Sequence, residues 1–251
     1  MNAQIPLLAS TTVHDRRNLP LWVVLAFSAG AVNAAALAAC QRFVSHVTGT
    51  VTRVGADYGS AYLLLDYAAV LGAFVVGAMS SFWMLDGRRL RGKAPFVGLP
   101  LAMVAMILAL VAALGRFGAF GPFGKTVETP GDFLMLGLLA FAMGLQNASV
   151  ASTSGMIVRT THMTGPLTDL SIALGAYLST AAPADLRERA RAGIVLRGAK
   201  ILAFIAGALV ASIAATRLEY LTFLIPAGFV AVAAYVLSSV VEYETQGVVA
   251  T

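Results

Sequence analysis

The sequence predicts an all-α polytopic membrane protein, with six transmembrane helices plus two short re-entrant or broken helices arranged as two inverted three-span repeats. Three observations carry that prediction. Hydrophobic residues make up 59% of the 251-residue chain and charged residues only 12%, where a soluble domain is about a quarter charged. Apolar stretches of about 20 residues, the length that crosses roughly 30 Å of hydrocarbon as a helix, recur along the whole chain. A polar motif built on a rare residue occurs twice, at corresponding points of the two halves.

Taken in order, residues 1–19 read as a mobile cytoplasmic tail containing Arg16 and Arg17. No small-residue cleavage site follows, so the first apolar run is expected to stay as a helix. The spans fall near 20–40, 61–85, 95–115, 132–151, 194–216 and 220–240. Between them lie connections rich in breakers or charge: DGRRLRGK at 86–93, GRFGAFGPFGKTVETPGD at 115–132 and APADLRERARAG at 182–193. This gives a first repeat over 20–116, a linker over 117–131, a second repeat over 132–240 and a tail over 241–251. Two stretches, 41–60 and 154–180, are too polar for ordinary spans and too apolar for solvated loops. They are expected to dip into the bilayer without crossing it.

The repeat is visible by direct comparison. AFSAGAVNAA at 26–35 matches AFAMGLQNAS at 140–149, and after a two-residue insertion SHVTGTVT at 45–52 matches THMTGPLT at 161–168. AFVVGAM at 73–79 then matches AFIAGAL at 203–209. Ala-rich and Gly-rich helices agree often by chance. The chain has only three histidines, however, and two of them precede a Thr-Gly at equivalent positions, which marks a duplication.

Charge selects the topology. With three spans per half and both termini inside, one side receives Arg16 and Arg17, the cluster Arg88, Arg89, Arg91 and Lys93, and then Arg187, Arg189 and Arg191. With four spans per half the two strongest basic clusters fall on opposite sides. An odd number of spans inverts the second half relative to the first. The 41–60 stretch then enters from outside, the 154–180 stretch from inside, and the two meet near the midplane.

Irregular backbone at that depth must be buried in protein or face a water-filled cavity. Each short helix is expected to begin at its Thr-Gly, with Thr48 and Thr164 as N-caps ahead of Gly49 and Gly165. Pro166 suits an early helical position. His46 and His162 precede those termini, and either bind a solute or proton or brace the broken helix through a backbone carbonyl. Asn33 and Asn147 follow Gly30 and Gly144 by one turn and serve either as helix-packing glue or as binding groups. Gln146, Ser149, Ser152, Thr153 and Ser154 extend a polar face in the second half only, and line an asymmetric cavity if there is one. Arg53 and Asp57 are spaced i, i+4, while Asp169 stands where Arg53 does in the other half. Local Arg53–Asp57 pairing and a cross-repeat Arg53–Asp169 bridge are both open.

Several chemistries lack a handle. Cys40 is the only cysteine, no metal-ligand set accompanies the histidines, and no phosphate-binding or dinucleotide-binding glycine motif follows a strand, so no metal or cofactor is expected. The net charge of +5 is spread over short loops, a pattern of topology signals that gives no basis for a nucleic-acid partner. The expected partners are the lipid bilayer and a small-molecule solute, and glycine-rich faces around Gly72 and Gly77 would permit a homodimer.

The motifs FVSHVTGTVTRVG at 43–55 and GLQNASVASTSGMIVRTTHMTGPLTDLSIALG at 144–175 resemble the YoaK-like family of bacterial inner-membrane proteins (domain of unknown function 1275), with a likeness in span layout from about 20 to 240. The resemblance implies a multi-pass protein of the inner (plasma) membrane and brings no activity. It marks His46, Thr48, Gly49, Asn147, Arg159, Thr164, Gly165 and Asp169 as motif positions. Ala31, Val32 and Asn33 depart from the family pattern, in which glycine and aspartate commonly follow the first-span glycine. The expected function is a secondary transporter or channel for a small polar or anionic solute. The alternatives are a membrane-embedded enzyme using the paired histidines and a structural or assembly subunit.

Overall fold

The computed structural model describes residues 18–249, with side chains to 239. Arg16, Arg17 and nearly all of the expected tail lie outside the described residues. The chain forms α1 (Leu19–Cys40), α2 (Val47–Ala56), α3 (Ala61–Met84), the one-turn α4 (Asp86–Arg89), α5 (Leu99–Arg116), α6 (Pro130–Thr153), α7 (Thr164–Leu178), α8 (Ala184–Leu218), a 3-10 turn (Glu219–Phe223) and α9 (Leu224–Val249). There is no strand among the described residues. Among the described residues, five segments are long and apolar enough to cross a membrane: Leu19–Cys40, Ala61–Arg89, Leu99–Arg116, Pro130–Thr153 and Ala184–Ser239. The last contains both α8 and α9, separated by the 3-10 turn, which opens at Glu219 with φ 47°. The chain is thus a multi-pass helical membrane protein.

Local chemistry explains where the helices start. Pro20 and Pro100 occupy the first turns of α1 and α5, where a missing N–H costs nothing. The Thr129 hydroxyl accepts from the Asp132 amide, and the Asp132 carboxylate accepts from the Thr129 amide, a reciprocal cap that opens α6. Ser60 caps α3 by accepting from the Leu63 amide at 3.4 Å.

Four helices share the pattern Ala-Phe-x-x-Gly, and the fold pairs them two by two. At the α1–α8 crossing, a side chain on Gly30 would strike the Phe204 carbonyl, and one on Gly207 the Phe27 carbonyl. At the α3–α6 crossing, Gly77 faces the Phe141 carbonyl and Gly144 the Phe74 carbonyl. These are the two most extensive helix pairs in the molecule. Lipid supplies no hydrophobic drive between helices, so close backbone contact at glycine carries the association. α1 is the most buried span, and its Trp22 and Leu25, both fully buried, belong to one core cluster with Leu101 of α5 and Met135 and Leu139 of α6. The outer faces of α3 and α8 leave Leu65, Val75, Leu202 and Ile205 more than half exposed, as apolar surface made for lipid.

The contacts sort into two ends. At one, the Gly124 amide donates to the Ala39 carbonyl at 2.8 Å, Arg42 pairs with Asp66 at 2.7 Å and the Tyr220 hydroxyl donates to the Gly121 carbonyl at 2.6 Å. At the other, the Ser152 hydroxyl donates to Asp86 at 2.5 Å, and Gly98 lies against Ala234 and Ser238. The 41–60 segment leaves from the first end and the 154–183 segment from the second.

Two boundaries differ from expectation. The 182–193 segment, read as a loop, is helical from Ala184, so α8 runs 35 residues and Arg187, Arg189 and Arg191 lie on it. Nothing between Ala184 and Leu218 breaks a helix; charge makes that stretch polar without making it irregular. At the other end of the chain α9 continues to Val249, through most of the expected tail.

Candidate functional site

Each short helix is held by the same device. Asn33 on α1 accepts from the Ser45 amide at 3.2 Å and donates to the Ser45 hydroxyl at 2.6 Å, which fixes the backbone just ahead of His46. Asn147 on α6 accepts from the Thr161 amide at 3.3 Å, at the matching position ahead of His162. These hydrogen bonds make each asparagine a clamp on its connector that satisfies a backbone donor, a role apart from both helix-packing glue and solute binding.

Buried charge reinforces both connectors with opposite signs. In the first half Arg42 reaches from the connector to Asp66, which is fully buried on α3. In the second, Lys200 on α8 is 5% exposed, and its ammonium donates to the Arg159 carbonyl at 2.6 Å and the His162 carbonyl at 3.5 Å. Neither Asp66 nor Lys200 was singled out in the sequence. For Asp66 the signal was there, since it is an isolated charge inside an apolar run, whereas Lys200 follows Arg197 by three residues and reads as part of a charged stretch.

The histidines fold back over the helices they precede. His162 Nε2 accepts from the Gly165 amide at 3.1 Å, so its ring caps α7 by accepting from an amide, not by bonding a carbonyl. A side chain on Gly165 would come within 2.8 Å of that ring, and one on Gly49 within 2.6 Å of the His46 ring. The glycine of each His-x-Thr-Gly is therefore the seat of its imidazole. Thr48 and Thr164 are not N-caps: α2 begins at Val47 with His46 as its cap residue, and α7 begins at Thr164 after Met163. At α7 the imidazole of His162 takes an amide at the helix start that a capping hydroxyl could have accepted.

The two motifs, coming from opposite ends of the bundle, share one cavity of about 690 Å³. Asn33, His46, Thr48, Asn147, His162 and Thr164 line it, and Ser45, Thr161 and Ser212 add polar groups. Phe43, Phe74, Phe204 and Leu37 make its apolar wall. Arg159 is the only Asp, Glu, Lys or Arg among the lining residues. Gly49 and Gly165 lie beneath the rings and do not line this cavity. A second space of about 360 Å³, lined by Gln41, Arg42, Gly49, Thr50, Arg53 and Tyr67, adjoins the first; Leu37, Phe43 and His46 line both. The Phe43 and His46 rings meet edge to face at 5.6 Å between centroids.

Other expected residues lie elsewhere. Arg53 pairs with Asp57 at 3.7 Å, and Asp169 pairs with Arg197 of α8 at 3.4 Å, so the cross-repeat bridge is not formed. Gln146, Ser149, Ser152, Thr153 and Ser154 do not line the cavity. Gln146 donates to the Leu25 carbonyl at 3.0 Å, while Ser149 and Thr153 donate to carbonyls of their own helix. Among the described residues, no cluster of three His, Cys, Asp or Glu could hold a metal ion.

A family model described as a protein of unknown function (DUF1275) matches residues 21–236. No curated protein and no solved structure matches the chain.

Proposed function

The chain belongs to the DUF1275 family of proteins of unknown function, and from its geometry we propose a secondary transporter or channel for a small polar or anionic solute, bound in the cavity between the two His-x-Thr-Gly motifs. The halves, 20–116 and 132–240, are read as inverted three-span repeats, with α1, α3, α5, α6, α8 and α9 as spans and α2 and α7 as re-entrant helices. The single observation that carries the reading is that two equivalent motifs enter from opposite ends of the bundle and line one cavity. The matched glycine crossings of α1 with α8 and α3 with α6 support the same relation, because each pairs a first span of one half with a second span of the other. Transporters built on inverted repeats bind their solutes at such repeat interfaces, where discontinuous helices begin. Thr48, Thr164, His46 and His162 provide hydrogen bonds to the solute, and Asn33 and Asn147 hold the wall that presents them. Arg53, Asp57 and Asp169 act as ion-paired supports outside the cavity. The family resemblance supports a home in the bacterial inner membrane, and the basic clusters support cytoplasmic termini.

The test is flux in vesicles reconstituted with purified protein, screened against small polar and anionic solutes. His46→Ala and His162→Ala are expected to lower flux at least tenfold while eluting as folded protein. Unchanged flux in both variants would leave a structural role for the motifs. Product formed in detergent, with no gradient, would replace transport with an enzyme.

A further inference from the structure

The cavity's chemistry narrows the class of ligand, on the premise that this cavity is the solute site. Three features decide that class. The first is charge: Arg159 is the one charged lining residue, and no carboxylate pairs with it among the described residues. Arg159 is exposed, and its planar guanidinium is placed to meet a carboxylate through two parallel hydrogen bonds. The second is the mount. Lys200, almost fully buried, donates to the backbone carbonyl of Arg159 itself, so the segment bearing the guanidinium is held to α8 and does not hang on a free loop. The third is the apolar part of the lining, to which Phe43, Phe74 and Phe204 contribute. At about 690 Å³ the cavity falls within the roughly 300–1,000 Å³ typical of sites for drug-sized ligands, far larger than an inorganic anion fills.

We propose that the cavity binds an organic monocarboxylate with an apolar body, its carboxylate on Arg159 and its body against Phe43, Phe74 and Phe204. Arg159 is the residue that selects charge, and Lys200 is a positioning residue that acts through it. Asn147 and Thr161, beside Arg159 in the lining, offer further polar groups to the carboxylate. One guanidinium balances one carboxylate, so a second anionic group on the ligand has no partner in the wall.

Calorimetric titration of the full chain in detergent tests this with acetate, hexanoate, decanoate and phenylacetate, together with hexanamide and phenylacetamide as neutral isosteres and sulfate as an anion without a body. The acids with apolar bodies are expected to bind at least tenfold tighter than their amides, and at least tenfold tighter than acetate or sulfate. A preference for decanoate would place the source of ligand in the bilayer, and one for phenylacetate in the aqueous phase; either supports the inference. Arg159→Gln should remove the acid-over-amide preference. Phe43→Ala and Phe74→Ala should weaken phenylacetate and leave acetate unchanged, and they keep the test open if Arg159→Gln fails to fold. Lys200→Met should weaken every acid by a similar factor without restoring the amides. Equal binding of acids and amides, or no binding of any acid, overturns the proposal. Failure of the transport reading looks different: acids bind, yet vesicles show no flux. Flux of a neutral solute that is lost in His162→Ala and kept in Arg159→Gln would do the reverse, sinking the carboxylate and sparing transport.

Discussion

At the scale of single residues, the recurring theme is a polar group that serves the backbone first. The His162 ring accepts the Gly165 amide, and the space for that ring exists only because position 165 lacks a side chain. Gly165→Ala is therefore expected to push the imidazole off its amide and cost about 1 kcal/mol, the usual worth of a helix cap, read as a lower melting temperature in detergent. Asn33→Ala leaves the buried Ser45 amide without its acceptor, at a cost of about 1–3 kcal/mol. Asn33→Asp keeps an acceptor oxygen for that amide but loses the donor to the Ser45 hydroxyl, so it should recover only part of the stability. Much of this was legible as residue identity: the duplicated His, Thr, Gly and Asn stand out in the sequence. Their roles were not. Whether an imidazole turns toward a cavity or back onto its own helix depends on side-chain rotation, which spacing does not encode; the expected Thr164 cap gave way to the ring of His162, and Thr48 lies inside α2, which begins one residue earlier.

At the scale of elements, the Ala-Phe-x-x-Gly helices behave as two interlocked pairs. Replacing Gly30 or Gly144 with Leu would drive a side chain into the backbone of the facing helix, where no flexible group can yield. Loss of the folded peak in size-exclusion chromatography is the expected result. Gly72→Leu and Gly137→Leu, with open space around them, should elute as the parent does. The four copies of the pattern are plain in the sequence, but a repeat says nothing about partners, and only the fold shows α1 taking α8 and α3 taking α6. The α8 boundary was hidden for a different reason. A search by apolar length finds where lipid can be, and Arg187 to Arg191 kept that signal from starting until about ten residues after the helix had begun. At about 1.5 Å per residue its 35 residues reach roughly 50 Å, well beyond a hydrocarbon core of roughly 30 Å.

At the scale of the molecule, the basic clusters test the proposed inversion. Single cysteines at Arg91 and Arg189, in a Cys40→Ser background, should both resist impermeant thiol reagents in intact cells and both react after lysis. Ser keeps the hydrogen bond that Cys40 makes to the Ala36 carbonyl, so the background should fold. Labelling of just one position would make α2 or α7 a full crossing and end the inverted reading. The class of the molecule, its multi-pass helical build and its duplicated motif were readable from composition, window length and three histidines. The cavity was not, because it is made by residues up to about 180 positions apart, such as Gly30 and Ser212, which only packing brings together.

The absence of a carboxylate from the lining also has a meaning in electrical terms. On the proposal that the protein transports a monocarboxylate bound at Arg159, a site whose one fixed charge is positive becomes neutral when the cargo fills it, so the loaded site moves no net charge when it changes sides. The empty site carries the guanidinium alone. Membrane voltage, worth about 2.3 kcal/mol per charge per 100 mV, then acts mainly on the return of the unloaded protein. A transmembrane potential would set the pace of turnover while leaving the affinity for cargo nearly untouched.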